Sequence, residues 1–180
     1  MICSYIYLFF FGSNLVRALF QADKPAKPPR AHCTRSLSKC PYCPKLDKFG
    51  TIKGLHDKRP HKTRVNISCE SDNLVYAIEC LKCGQHYVGQ TQKMLRGRFV
   101  HHFSDIKGNN TKSLGVHFNS PGHNGLDDVK IYILEFFQTP ATIAFRKRRE
   151  DAERKLQYRL RSNFPLGMNR DDALSKDPRL

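Results

Sequence analysis

Two Cys-x-x-Cys pairs, Cys40/Cys43 and Cys80/Cys83, mark this chain for soft-metal chemistry. Thiolates at that spacing reach one ion from a single turn, and the seven cysteines and eight histidines favour tetrahedral zinc over a disulfide framework. An odd cysteine count fits metal better than complete pairing and implies a reducing compartment. Cys33, Cys40 and Cys43, with Cys69 after a long basic loop, form one candidate thiolate set, in which His32, His56 or His61 could replace a ligand. A second group of competent side chains follows: Tyr76, Tyr87, Arg98 and His102, with Glu153 far along the chain. Phenol, imidazole and carboxylate groups exchange protons, and a guanidinium holds an anion.

The elements that must position these groups are readable from periodicity. Leu74 to Ile78 and His86 to Gly89 are short β-prone runs. A tight turn centred on Leu81 and Lys82 sets Cys80 opposite Cys83 and Tyr76 opposite Tyr87, all on one face; a bulge at Gly84 would shift that register. Thr91 is a suitable N-cap for a helix whose apolar stripe is Leu95, Phe99, Phe103 and Ile106, with Arg98 and His102 together on its flank. Gly108-Asn109-Asn110 ends that helix, and a short one, Leu114 to Phe118, leads to His123. Val129 to Phe137 reads as a central strand broken by Pro140. A basic helix from Ala144 to Arg161 carries Phe145, Ala152, Leu156 and Leu160 as its apolar stripe. Glu153 falls beside that stripe, and an inward carboxylate must be hydrogen-bonded, metal-bound or paired, for instance with Arg149 or Arg154.

These elements predict an α/β fold of the α+β kind: a small three-stranded, mainly antiparallel sheet flanked by helices, preceded by a Cys-rich zinc-binding segment. Residues 1–30 form an apolar start and a Pro-rich basic linker, 31–71 the Cys-rich segment, 72–170 the main domain and 171–180 a polar tail. The apolar run at residues 2–12 is too short to span a membrane. It reads as a buried strand or a stray stretch; a secretory signal is the alternative, and would turn the cysteines toward disulfides.

Lys and Arg number 31 against 16 Asp and Glu, a net charge of +15 in a chain that is 39% hydrophobic. That balance describes a folded protein with a polyanionic partner, nucleic acid first. The backbone-binding face falls on the basic helix, at Arg146, Lys147, Arg148, Arg149, Arg154 and Lys155. No pattern of base readout is present, so weak sequence preference is expected.

Leu74-Val75-Tyr76, followed by Tyr87-Val88-Gly89, resembles the two signature triplets of the GIY-YIG nuclease domain. Arg98 and His102 on the next helix, a late acidic residue and a closing Pro165-x-Gly167-x-Asn169 continue the match over about residues 72 to 169. Counting back from that closing motif selects Glu153 over Glu150. Cys80 and Cys83 between the triplets, with His117 and His123 downstream, resemble the Cys-Cys-His-His variant of Penelope-like retroelements. The first triplet lacks the namesake glycine, and position 156 is Leu where the subgroup often has an aromatic.

The resemblance implies a DNA endonuclease that nicks by phosphodiester hydrolysis, supplying a primer end for reverse transcription. Glu153 would hold Mg²⁺ or Mn²⁺, and Arg98 would clamp the phosphate. Tyr76 would act as base, its pKa of about 10 lowered by nearby cations. His102 would relay a proton or bond the second tyrosine, and Asn169 would position structure or phosphate. Cys80, Cys83, His117 and His123 would hold a structural zinc. No small-molecule substrate and no membrane partner are expected, and the location would be nuclear. The chain is too short for the element's polymerase, so a truncated or repurposed fragment is expected. The rival functions are a catalytically inactive, zinc-stabilised nucleic-acid-binding module and a protein-interaction module built on the Cys-rich segment.

Overall fold

The computed structural model describes residues 33, 40–47, 50–54, 60–62, 67–108, 111–137 and 143–170, the first three residues of the last segment as backbone. The apolar start, the Pro-rich linker, His32, His56, Asn109, Asn110, Pro140, the Phe145 side chain and the C-terminal tail lie outside the described residues. The strands are β1 (Leu46–Asp47), β2 (Thr51–Ile52), β3 (His61–Lys62), β4 (Leu74–Cys80), β5 (His86–Thr91) and β6 (Val129–Phe136). The helices are α1 (Leu95–Lys107), α2 (Ser113–Phe118) and α3 (Ile143–Leu160).

The expectation of a three-stranded, mainly antiparallel sheet is overturned. Six strands form a mixed four-stranded sheet, ordered β1-β6-β4-β5, and a separate pair of β2 with β3. Strand β4 runs antiparallel to both β5 and β6. The additional strand is β1, which lies parallel to β6 with Leu46 beside Ile131. An ion pair of 2.8 Å between Asp47 and Lys130 pins it there. So short a strand has no periodicity of its own; only its partner makes it one. The Cys-rich segment thus enters the fold itself, and Cys40, Cys43, Leu46, Ile67 and Cys69 share one apolar core with the main sheet.

The hairpin register also differs. Ile78, not Tyr76, is opposite Tyr87, and Tyr76 is opposite Gly89. The turn is longer because Gly84 adopts a left-handed φ of 73° and donates its N–H to Cys80 O at 2.8 Å. A slip of two positions preserves side-chain faces, so both tyrosines still point the same way.

Helices cover both faces of the sheet. On one side Tyr76, Ile78, Ile131 and Ile133 pack with Leu95, Phe99, Phe103 and Ile106 of α1 and with Leu114 and Phe118 of α2. On the other, Val75, Ala77, Val88, Tyr132 and Leu134 pack with Leu156 and Leu160 of α3 and with Ile52. Strands β4 and β6 are interior, which explains their continuous apolar sequences. Thr91 is not the N-cap of α1. Its hydroxyl closes a local turn on Lys93, accepting from the N–H at 3.1 Å, and the helix begins after Met94. Among the described residues no helix is long and apolar enough to cross a membrane.

Candidate active site and metal centres

Strand β4 delivers Tyr76, strand β5 delivers Tyr87, and α1 sets Arg98 and His102 over both. The Tyr76 hydroxyl lies 2.6 Å from His102 Nε2 and accepts from Arg98 Nε at 3.1 Å. The His102 and Tyr87 rings meet in a T-shaped contact with centroids 5.3 Å apart, while the hydrogen bond of His102 goes to Tyr76. Gly89, opposite Tyr76, makes room for this: a Cβ there would stand 2.8 Å from the Tyr76 hydroxyl and 2.9 Å from Tyr87 Cε1. Sequence reasoning quoted Gly89 only as part of a triplet; its pairing with Tyr76 appears once the true register is known. Tyr87, Arg98, His101, His102, Asp105 and Asn169 help line an open cleft of about 700 Å³. A slightly larger groove, about 750 Å³, lies beside β1, but Lys45, Asp47 and Lys130 in it already bond to one another or to backbone. The first cleft is where the chemistry converges.

Glu153 comes from α3, which packs on the other face of the sheet; it does not line the cleft, but its charge is felt at Tyr76, Tyr87 and Arg98. Alternate residues of an edge strand turn their backbone groups outward, here His86, Val88 and Gln90 of β5. Met168 N–H donates to His86 O at 2.8 Å, and Asn169 pairs with Val88 through Oδ1 (2.8 Å) and Nδ2 (2.7 Å). The Gln90 N–H stands close enough to the Glu153 carboxylate to favour its charged form. The late helix and the closing motif therefore line up along one strand edge, with the half-buried carboxylate at its end. Glu150 is paired with Arg146 at 2.8 Å instead. Asn169 positions backbone.

The electrostatics depart from expectation at Tyr76. Burial, reinforced by the neighbouring Tyr87, pushes its phenol well above the usual value, and Arg98 only partly opposes this. Burial likewise raises Tyr87 against the pull of Arg98. His102 is held down to about 3 by burial and then by the Arg98 charge, so its imidazole is neutral at pH 7. Glu153 is pushed up to about 7 by burial, against Arg98 and the Gln90 N–H. A half-buried carboxylate is an oxygen donor of the kind a hard divalent cation takes.

Two Cys/His clusters have the geometry of zinc sites. The ligand atoms of Cys33, Cys40, Cys43 and Cys69, and those of Cys80, Cys83, His117 and His123, each lie within 4.8 Å of one another. Sulfur contacts of 3.4 Å (Cys69–Cys33) and 3.6 Å (Cys40–Cys69) are close to the separation of thiolates on one tetrahedral ion. Both Cys-x-x-Cys turns aim backbone N–H groups at their first sulfur, Tyr42 and Cys43 at Cys40, and Lys82 and Cys83 at Cys80. His123 shows a prepared ligand atom. Ser120 Oγ gives its proton to His117 O (2.7 Å) and lies 3.0 Å from His123 Nδ1, so Nδ1 carries the hydrogen and the buried, unpartnered Nε2 is free for metal. Ser120 was missed by sequence reasoning, although it precedes His123 by only three residues. His61 bonds Leu134 O at 3.1 Å and belongs to neither set.

On α3, Arg146, Lys147, Arg148, Arg154 and Lys155 are exposed. Arg149 is not: it is 4% exposed and donates to Gln90 Oε1 and, at 3.1 Å, to Asn73 Oδ1. It joins the helix to β5 and to the residue just before β4, and leaves the outward basic face to its neighbours.

A scan against protein-family models matches residues 72–164 to the GIY-YIG catalytic domain. Searches of curated proteins and of solved structures gave no match.

Proposed function

Because the chain belongs to the GIY-YIG family, whose catalytic-domain model covers more than half of it, we propose that it is a metal-dependent DNA endonuclease that nicks by phosphodiester hydrolysis. The observation that carries this reading is the Tyr76 hydroxyl held between His102 Nε2 and Arg98 Nε beside an open cleft. Glu153 would hold Mg²⁺ or Mn²⁺, which when bound neutralises phosphate charge and eases departure of the leaving oxygen. Arg98 turns its guanidinium to the non-bridging oxygens, a planar fork matched to phosphate. That movement uncovers the otherwise fully buried Tyr76 hydroxyl. Water then attacks phosphorus as the bond to the leaving oxygen breaks; its proton passes to the Tyr76 oxygen while the phenolic proton shifts to His102, whose imidazole becomes a stronger base once Arg98 has turned to the phosphate. A high phenol pKa suits this relay, because Tyr76 never has to stand alone as phenolate. Tyr87 lines the cleft and orients the water.

The exposed cations of α3 bind the phosphodiester backbone. If about six of the protein's cations contact phosphates, affinity should fall by roughly three orders of magnitude between 50 and 200 mM salt. The Cys/His insertion supports descent from a Penelope-like element, in which the nick would supply a primer end. The proposed DNA substrate and a net charge of +15 favour a nuclear location.

Plasmid nicking with Mg²⁺ or Mn²⁺ tests the proposal: wild type converts supercoiled to open-circular DNA, and Glu153→Ala and Arg98→Ala abolish it. The complete burial of Tyr76 favours a second reading, an inactive nucleic-acid-binding module. Tight, salt-sensitive DNA binding without cutting would establish that one.

A further inference from the structure

We infer that metal held by Cys33, Cys40, Cys43 and Cys69 fixes the start of helix α1 and so positions Arg98 and His102. The inference rests on the reading of α1 as the helix that carries the reactive groups. Helix N-termini leave backbone N–H groups without intrahelical partners, and a side chain usually caps them. Helix α1 has no side-chain cap. Its Leu95 N–H donates to Ser71 O at 2.8 Å and its Arg96 N–H to Cys69 O at 2.7 Å. Cys69 therefore turns its sulfur to the thiolate centre and its carbonyl to the helix. Ser71 N–H to Ser68 O (3.1 Å) and Ser68 N–H to Ser71 Oγ (3.2 Å) hold the capping loop closed.

A second contact is independent of the first. Tyr42, inside the Cys40–Cys43 turn, packs edge-on against Phe103 with centroids 5.0 Å apart and against Phe99 at 6.4 Å. Phe99 in turn lies 5.1 Å from the Tyr76 ring and 5.6 Å from His102. The centre thus touches α1 at its first turn and again along its buried stripe. Its ligands come from well-separated parts of the sequence, and a tetrahedral Zn²⁺ would clamp those parts together.

The full chain, purified with zinc, provides the test through metal content and amide hydrogen exchange, neither of which depends on cleavage. Wild type should carry two metal ions and Cys40→Ser one, matching the two ligand clusters. In Cys40→Ser the Leu95 and Arg96 amides should exchange about tenfold faster or more, while Tyr76 and Ala77 in β4 keep their protection. Cys83→Ser, at the other cluster, should lose one metal ion and leave α1 exchange unchanged. If Cys40→Ser unfolds the whole chain, Cys40→His decides: a restored fourth ligand must restore both the second ion and α1 protection.

Unchanged Leu95 and Arg96 exchange after metal loss would overturn the inference, as would a Cys33–Cys69 disulfide found in place of metal. Nicking, measured alongside, should lose turnover in Cys40→Ser while the salt dependence of DNA binding persists. A wild type that never cuts would defeat the nuclease reading alone, because metal count and exchange would still report the coupling.

Discussion

Asn169 grips the backbone of Val88 from outside the sheet, its Oδ1 2.8 Å from the N–H and its Nδ2 2.7 Å from the carbonyl. One buried carboxamide thus does for an edge strand what a neighbouring strand would do. Asn169→Ala should orphan both groups, at a cost of about 2–4 kcal/mol. Asn169→Asp should cost a similar amount, because its carboxylate cannot donate to the carbonyl. Urea unfolding of the two variants checks this, and a loss below about 0.5 kcal/mol would refute it.

Acid should unfold the protein partly through His102. Its pKa of about 3 in the fold is depressed from the ordinary 6.5, first by burial and then by Arg98. Below pH 6.5 the unfolded chain binds a proton that the folded chain refuses, so stability falls as pH drops toward 3. The full contribution is about 4–5 kcal/mol, present above pH 6.5. Stability measured against pH should show this limb in wild type and a shallower one, by about one proton, in His102→Gln.

Gly89→Ala should damage the site more than the fold. The new methyl would meet the Tyr76 hydroxyl at 2.8 Å and force the ring from its place between His102 and Arg98. Destabilisation of about 1–3 kcal/mol is expected, with nicking reduced on the order of a hundredfold and DNA affinity kept. Equal activity in the two proteins would show that Tyr76 need not sit where it does.

Arg98→Lys should not rescue Arg98→Ala. Lysine keeps the charge but loses both the Nε–H that bonds Tyr76 at 3.1 Å and the planar fork for phosphate. Turnover should fall by about a hundredfold or more in each. Glu153→Gln should be as inactive as Glu153→Ala while DNA binding persists, since an amide cannot supply the anionic ligand that the cation needs. Filter binding beside plasmid nicking separates the two effects.

Ser120→Ala should weaken zinc at the hairpin cluster without removing a ligand. It frees His123 to adopt the other tautomer, for which a 10–100-fold drop in metal affinity is the usual scale, roughly. Competition with a chromogenic chelator measures it. His123→Ala should release the ion altogether and lower the melting temperature.

Strands β4, β5 and β6 and helix α1 were legible because each carries its own periodicity. Strand β1 was not, since Leu46 and Asp47 become a strand only beside Ile131 and Tyr132. The hairpin register turned on one left-handed glycine, Gly84, which no hydrophobic pattern reports. The side-chain faces survived that error because the slip was even. Arg149 looked like part of a surface basic run, yet it sits seven residues before Leu156 and eleven before Leu160, on the inward stripe by helical spacing. The signal was there and composition hid it. At the candidate site, ligand spacing revealed the cysteines, whereas the meeting of His117 and His123 with Cys80 and Cys83 depends on the folded chain.

The outward backbone groups of β5 are engaged at His86 by Met168 and at Val88 by Asn169, with Glu153 close to the Gln90 N–H. A strand dressed in this way offers no template for another chain, so amyloid-like stacking through that margin is blocked while the closing turn stays docked. Detachment of residues 168–169 would expose the margin and release the segment beside the carboxylate in one event. Aggregation and loss of cutting should therefore share a common onset on heating.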